Sequence, residues 1–282
     1  MTSDTLVWYP GHMAAAKREL QKMLVPVDFV VELLDARIPL SGKNPDLKDI
    51  CKDKPRLTLL TKYSLADADR TRKLKAQLEA DGAYVLTVDS KTKLNYDKIT
   101  PAIRTITAEK LKKYADKGME GRKIRGMVLG ITNVGKSTFI NTYTGTKKAK
   151  AEDRPGVTRK TQWIAAPGGI ELLDTPGLLW HKFDDPLVGL KLAFTGAIRD
   201  EILDLPDIAA RLAVLLCELY PDMVEARYKV RMEENELPEV LLERMAKKRG
   251  FLQKGGVADT DRFASVFLDE YRGGKIGRIT LD

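Results

Sequence analysis

Apolar residues follow two rhythms along this chain: short continuous runs up to residue 185, and helical spacings beyond it. Residues 27–34 form an apolar run broken only by Asp28 and Glu32, and 56–60 and 83–88 form two more. Met127-Val128-Leu129, 161–165 and 169–173 complete the set. Runs this short and this continuous fit strands covered on both faces. Between them, 13–24, 67–80 and 96–118 read as helices, the first with Ala, Leu and Met on one side. Strands alternating with helices, and polar residues gathered after the strands' carboxyl ends, predict an α/β fold. Its doubly wound, mostly parallel sheet should hold a ligand at those ends. After residue 186 only helices are expected. Residues 238–248 begin at a proline and stop before Gly250, and a helix over 260–271 has Asp259 or Thr260 as cap and Gly273-Gly274 as terminator. The expected division is an α/β domain over 1–185 and a smaller α-helical domain over 186–282.

Composition changes this picture little. The 282 residues are 43% hydrophobic and 31% charged, as in a folded globular protein. No apolar run approaches the length of a membrane span, and nothing behind Met1-Thr2-Ser3-Asp4 resembles a cleavable leader. Cys51 and Cys217 stand alone without metal-type spacing, so a cytoplasmic protein with inert thiols is expected. Charge is more informative. The net charge is +8, and residues 104–160 alone carry 15 Lys and Arg against 5 Asp and Glu. The last stretch is acidic in sum yet ends in a basic set that includes Lys247, Lys248, Arg249, Lys254, Arg272 and Lys275. Such clusters suit a polyanion, with nucleic acid ahead of membrane because no amphipathic anchor is evident.

The candidate chemistry starts at Gly130-Ile131-Thr132-Asn133-Val134-Gly135-Lys136-Ser137, which matches the phosphate-loop pattern G-x-x-x-x-G-K-[ST] between a strand and a helix. Glycines let the backbone curl so that successive N–H groups face phosphate oxygens, and the following helix adds its positive end. Asn133, Val134, Gly135, Lys136, Ser137 and Thr138 are the candidate phosphate contacts. Lys136 would reach the outer phosphates and Ser137 would ligate Mg²⁺. Asp174-Thr175-Pro176-Gly177 at a later strand end has the D-x-x-G layout of a second switch. There Asp174 would hold Mg²⁺ through water and the Gly177 N–H would meet the γ-phosphate. Thr158 lies between the two motifs, where a first switch offers Mg²⁺ a hydroxyl. No guanine-reading [NT]-K-x-D follows residue 177. The candidate lies upstream, Thr61-Lys62-Tyr63-Ser64, with Asp89-Ser90-Lys91 at the next strand end. The motif order is therefore rotated, which a doubly wound domain tolerates because its ends lie close together.

These residues resemble the circularly permuted GTPases, most closely the ribosome biogenesis GTPase A family. The resemblance runs through Trp8-Tyr9-Pro10-Gly11-His12-Met13, Asp35-Ala36-Arg37-Ile38-Pro39, Asn133 to Thr138, Asp153 to Thr158 and Leu172 to Gly177, and covers nearly the whole chain. It implies a cytoplasmic GTPase that binds GTP and GDP, uses Mg²⁺, and engages the large ribosomal subunit precursor through its rRNA, turning over faster there. Leu178 stands where other switches place a water-orienting Gln, and leucine cannot polarise water. The resemblance assigns that role to His12, aided by K⁺ held by Asn133. Thr132 replaces the family's usual Pro. Ser64 replaces its guanine-binding Asp, so Ser64→Asp is expected to tighten GDP binding. A P-loop enzyme that phosphorylates a small molecule is the competing reading. Asp174-x-x-Gly177 and Thr158 weigh against it.

Overall fold

The computed structural model describes residues 18–51, 54–146, 162–175 and 185–282. They fall into two compact units: one holding residues up to Ser64, Ala68–Asp184 and Asp282, the other Leu65–Asp67 and Asp185–Leu281.

The first unit is the α/β domain. Its helices are α1 (residues 18–24 among those described), α2 (Asp46–Ile50), α3 (Ala68–Ala80), α4 (Ile99–Ile106), α5 (Ala108–Ala115) and α6 (Lys136–Thr144). Its strands are β1 (Phe29–Asp35), β2 (Arg56–Thr61), β3 (Tyr84–Thr87), β4 (Ile124–Gly130), β5 (Trp163–Ala166) and β6 (Ile170–Asp174). The sheet order is β3-β2-β1-β4-β6-β5. All pairings are parallel except that of β5 with β6. All seven residues of β1 are buried, which is why its run is continuous rather than alternating. Leu20 and Leu24, one helical turn apart, pack on Val30, Met127, Leu129 and Leu173. Close approach of β1 and β4 depends on Gly126 opposite Phe29: a Cβ there would lie 2.3 Å from the Phe29 ring.

The single helix expected over 96–118 is instead a 3₁₀ turn, Tyr96–Lys98, followed by α4 and α5. The break falls at Thr107, which is buried and turns its hydroxyl onto the Ile103 carbonyl at 2.6 Å. A Thr side chain that bonds back to position i−4 competes with regular helix and bends it.

The second unit is helical: α7 (Pro186–Phe194), α8 (Leu205–Leu219), α9 (Pro221–Tyr228), α10 (Pro238–Lys248) and α11 (Thr260–Arg272). Asp185, Asp204 and Asp259 cap α7, α8 and α11 by accepting the N–H of Leu187, Asp207 and Arg262. Tyr228, Phe251, Phe263 and Phe267 form the aromatic core, with ring centroids 5.3–6.0 Å apart. Cutting Phe263 or Phe267 to Ala should cost about 3–5 kcal/mol. No described helix is long and apolar enough to cross a membrane.

Candidate functional site

The phosphate loop leaves β4 and enters α6, as its sequence requires. Gly130 passes close to β1, and an added Cβ would sit 2.8 Å from the Leu33 carbonyl and 2.9 Å from Val134. Gly135, with φ of 100°, caps α6 in a conformation costly for any residue with a Cβ. Asn133 takes the left-handed region at φ 56° at the exposed apex of the loop, and Val134 is buried beneath it. Thr138 lies exposed in the first turn of α6, where its N–H faces the same end. Lys136 is almost buried and donates to the carbonyls of Gly130 at 3.0 Å and Ile131 at 2.6 Å. Burial pushes its ammonium down to about 8, partly offset by the Asp174 carboxylate. A phosphate here would meet a cation already oriented along the loop.

Asp174 ends β6 in register with Val128, and the Thr175 hydroxyl pins the next turn to the Val128 carbonyl at 2.6 Å. Ser137 Oγ lies 3.4 Å from Asp174 Oδ2. A hydroxyl and a carboxylate meeting beside the phosphate loop are hard oxygen donors, and that set fits Mg²⁺. When bound, the ion neutralises charge on the outer phosphates.

The upstream loop also meets the phosphate loop. Thr61 Oγ1 donates within reach of the carbonyls of Leu34 at 3.1 Å and Val134 at 2.9 Å. Lys62, at φ 55°, donates to the Asn133 carbonyl at 2.6 Å and pairs with Asp35 Oδ2 at 3.0 Å. The chain rotation therefore leaves the upstream candidate loop and the phosphate loop in contact, 71 residues apart in sequence. Tyr63 is half-buried and Ser64 exposed just behind Lys62. Asp89 is buried and accepts the Ser64 N–H at 2.9 Å, while Ser90 Oγ shares a 2.6 Å hydrogen bond with Tyr96.

Two participants were quoted in the resemblance without a role. Asp35 and Arg37 form a buried bidentate pair, Nε to Oδ1 at 2.9 Å and Nη2 to Oδ2 at 2.7 Å, and this carboxylate anchors Lys62. Burial would raise the Asp35 carboxyl, but Arg37 and Lys62 hold it far below the usual carboxylate range. Charged residues inside an otherwise apolar strand end were the available signal. His12, Thr158, Gly177 and Leu178 lie outside the described residues.

In the helical unit two of the candidate polyanion contacts also brace the fold. Arg272 clamps Asp200 at 2.7 and 2.8 Å and donates to the carbonyls of Phe194 and Ala193. Arg249 joins Arg227 and Tyr228 on the buried carboxylate of Glu270. Both cations have partners within the helical unit. Lys247 pairs with half-buried Glu243, and Lys248, Lys254 and Lys275 are exposed.

Residues 125–249 match the model of a family described as 50S ribosome-binding GTPase. Ribosome biogenesis GTPase A of Bacillus licheniformis is 43% identical over 278 residues, covering 98% of this chain and 97% of that protein. The chain belongs to the ribosome biogenesis GTPase A family. Mitochondrial ribosome-associated GTPase 1 of Xenopus tropicalis is 32% identical, covering 98% of this chain and 94% of that protein. A GDP-bound YlqF structure superposes with a TM-score of 0.66 at 26% identity, covering 94% of this chain and 98% of that one. A GNP-bound YlqF from T. maritima gives 0.64 at 26% identity, covering 95% and 97%. As a family member the chain is a circularly permuted GTPase that binds GTP and GDP and hydrolyses GTP. The competing small-molecule kinase reading falls away.

Proposed function

We propose that this GTPase is a cytoplasmic assembly factor for the large ribosomal subunit, binding precursor particles through rRNA and hydrolysing GTP faster there than alone. Full-length likeness to proteins named for ribosome biogenesis carries the reading. In it Mg²⁺ is held by Ser137, Thr158 and, through water, Asp174. The γ-phosphate is sensed by the Gly177 N–H, and the base lies against Thr61, Lys62, Tyr63, Ser64 and the Asp89-Ser90 loop. His12 orients or activates the attacking water, since Leu178 cannot, and Asn133 holds K⁺ beside the transferring phosphate. Lys247, Lys248, Lys254 and Lys275 contact rRNA phosphates. Arg249 and Arg272 belong to the same basic set and also hold ion pairs within the helical unit.

The test is co-sedimentation with large-subunit particles in a non-hydrolysable GTP analogue and in GDP, across a salt series. Binding should favour the GTP analogue and fall steeply with salt, because releasing counterions from RNA drives it. Replacing Lys248, Lys254 and Lys275 by Ala should flatten the slope by about 2–3 units. Equal binding in both nucleotide states and all salts would refute the proposal.

A further inference from the structure

The loop proposed to read the base ends at Ser64, and the next three residues, Leu65–Asp67, belong to the helical unit although α/β sequence flanks them on both sides. They run from the end of a short 3₁₀ turn, Tyr63–Leu65, to the start of α3, and belong to no strand. So short a stretch cannot satisfy its own main-chain polar groups, which must find partners elsewhere.

Those partners come from far on in the sequence, at residues 278–280. The Ile279 N–H donates to the Leu65 carbonyl at 2.9 Å, and Arg278 Nε donates to the Ala66 carbonyl at 2.8 Å. The Asp67 N–H donates to Thr280 Oγ1 at 3.1 Å. Each of the three residues thus pairs a main-chain group with this segment. Tyr220, between α8 and α9, closes the set. Its hydroxyl oxygen accepts the Thr280 N–H at 3.0 Å. The same hydroxyl lies 3.0 Å from the Thr280 carbonyl and 3.2 Å from Asp67 Oδ2, either of which accepts its proton. Ala66 and Thr280 are fully buried, so losing one partner strands the other away from water. The turn after α11 also comes close: a Cβ on Gly274 would lie 2.7 Å from Leu65 Cδ2.

We propose that Tyr220, Arg278 and Thr280 are positioning residues for the nucleotide base, a role that rests on the assignment of residues 61–64 to base reading. They fix the exit of that loop, so that Lys62, Tyr63 and Ser64 are set before the nucleotide arrives. The entry of the loop is fixed separately, at the end of β2, where the Thr61 hydroxyl reaches the carbonyls of Leu34 and Val134. A loop held only at its entry samples many conformations. The binding-competent one is then only a fraction of the whole, and apparent affinity falls by that fraction. Held at both ends, the loop is pre-organised and that cost disappears. The phosphate loop is supported by β4 and α6 instead, so phosphate binding should not depend on this anchor. Part of the affinity for the base is therefore set by side chains of the helical unit.

Calorimetry of the full chain with GDP and with pyrophosphate, a ligand that has no base, tests the anchor in Mg²⁺ buffer. The proteins are the parent, Tyr220→Phe, Thr280→Val, Thr280→Ser, Phe267→Leu and Lys62→Ala. Tyr220→Phe and Thr280→Val each delete a hydroxyl of the anchor with little change in shape. Each should lower GDP affinity by about two- to tenfold, the span of one buried hydrogen bond, and leave pyrophosphate affinity unchanged. Thr280→Ser keeps the acceptor for the Asp67 N–H and should bind GDP as the parent does. Phe267→Leu loosens the aromatic core around Tyr228 and Phe263 instead. It should lower the melting temperature and leave GDP affinity as it was. Parallel loss of GDP and pyrophosphate affinity in Tyr220→Phe would mean that the anchor only supports the fold, and would overturn the proposal. So would parent GDP affinity in both Tyr220→Phe and Thr280→Val, or a loss in Phe267→Leu as large as theirs. Unaltered GDP affinity in Lys62→Ala would overturn it differently, by placing the base away from residues 61–64.

Discussion

Replacing Asp35 by Asn probes the brace under the loop proposed to read the base. The change removes charge with almost no change in volume, so its cost is electrostatic. In the parent the carboxylate takes two side-chain bonds from Arg37, one from the Arg37 N–H at 3.0 Å, and the Lys62 ammonium at 3.0 Å. Both side chains of the Asp35–Arg37 pair are only 2% exposed. Breaking a buried pair from one side leaves the other charge uncompensated, at about 3–5 kcal/mol. In a domain of this size that lowers the melting temperature by about 6–20 °C. Lys62 also loses its anchor, and a charge-assisted hydrogen bond contributes roughly 1.5–3 kcal/mol, so GDP affinity should fall about ten- to a hundredfold. Thermal melts and GDP titrations of Asp35→Asn measure both. The acid limb adds a check. The folded carboxyl is depressed, so its contribution is complete above the unfolded value near 4 and is lost as pH falls below it. The difference between parent and variant should shrink below about pH 4. A melting point within 2 °C of the parent at pH 7, the scale of about 1 kcal/mol or less, would refute the reasoning.

Lys136 offers a proton count: its ammonium stands at about 8 without nucleotide, and phosphate oxygens beside it should raise it. GDP binding at pH 8 should then take up about half a proton, read from calorimetry in buffers of different ionisation enthalpy, and Lys136→Ala should abolish the uptake. His12→Ala should lower particle-stimulated turnover by about ten- to ten-thousandfold with nucleotide affinity nearly unchanged, measured by phosphate release. Exchanging K⁺ for Na⁺ at equal ionic strength should slow hydrolysis, and identical rates would remove the cation role of Asn133.

Much of the α/β unit was legible because local pattern and function coincide in it. Continuous apolar runs located the six strands of the described residues, and the phosphate loop and Asp174 fell at strand ends where a parallel sheet puts ligands. What escaped was decided by residues distant in sequence. The antiparallel β5 is set by its pairing with β6, which no local rhythm announces. Thr107 reads as an ordinary helical position until its hydroxyl is seen on Ile103. Arg249 and Arg272 look like solvent cations because Glu270 and Asp200 lie 21 and 72 residues away. Asp89 could be placed at a strand end from sequence, but its partnership with Ser64 needed the loop geometry.

The central claim is a GTPase whose chemistry is switched on by the particle it helps to assemble. Single-turnover hydrolysis of GTP by the full chain, in K⁺ and Mg²⁺, with and without purified large ribosomal subunits, tests it most directly. The account predicts slow hydrolysis alone and a marked acceleration with large subunits that small subunits do not reproduce. Equal rates in the presence and absence of large subunits would contradict it.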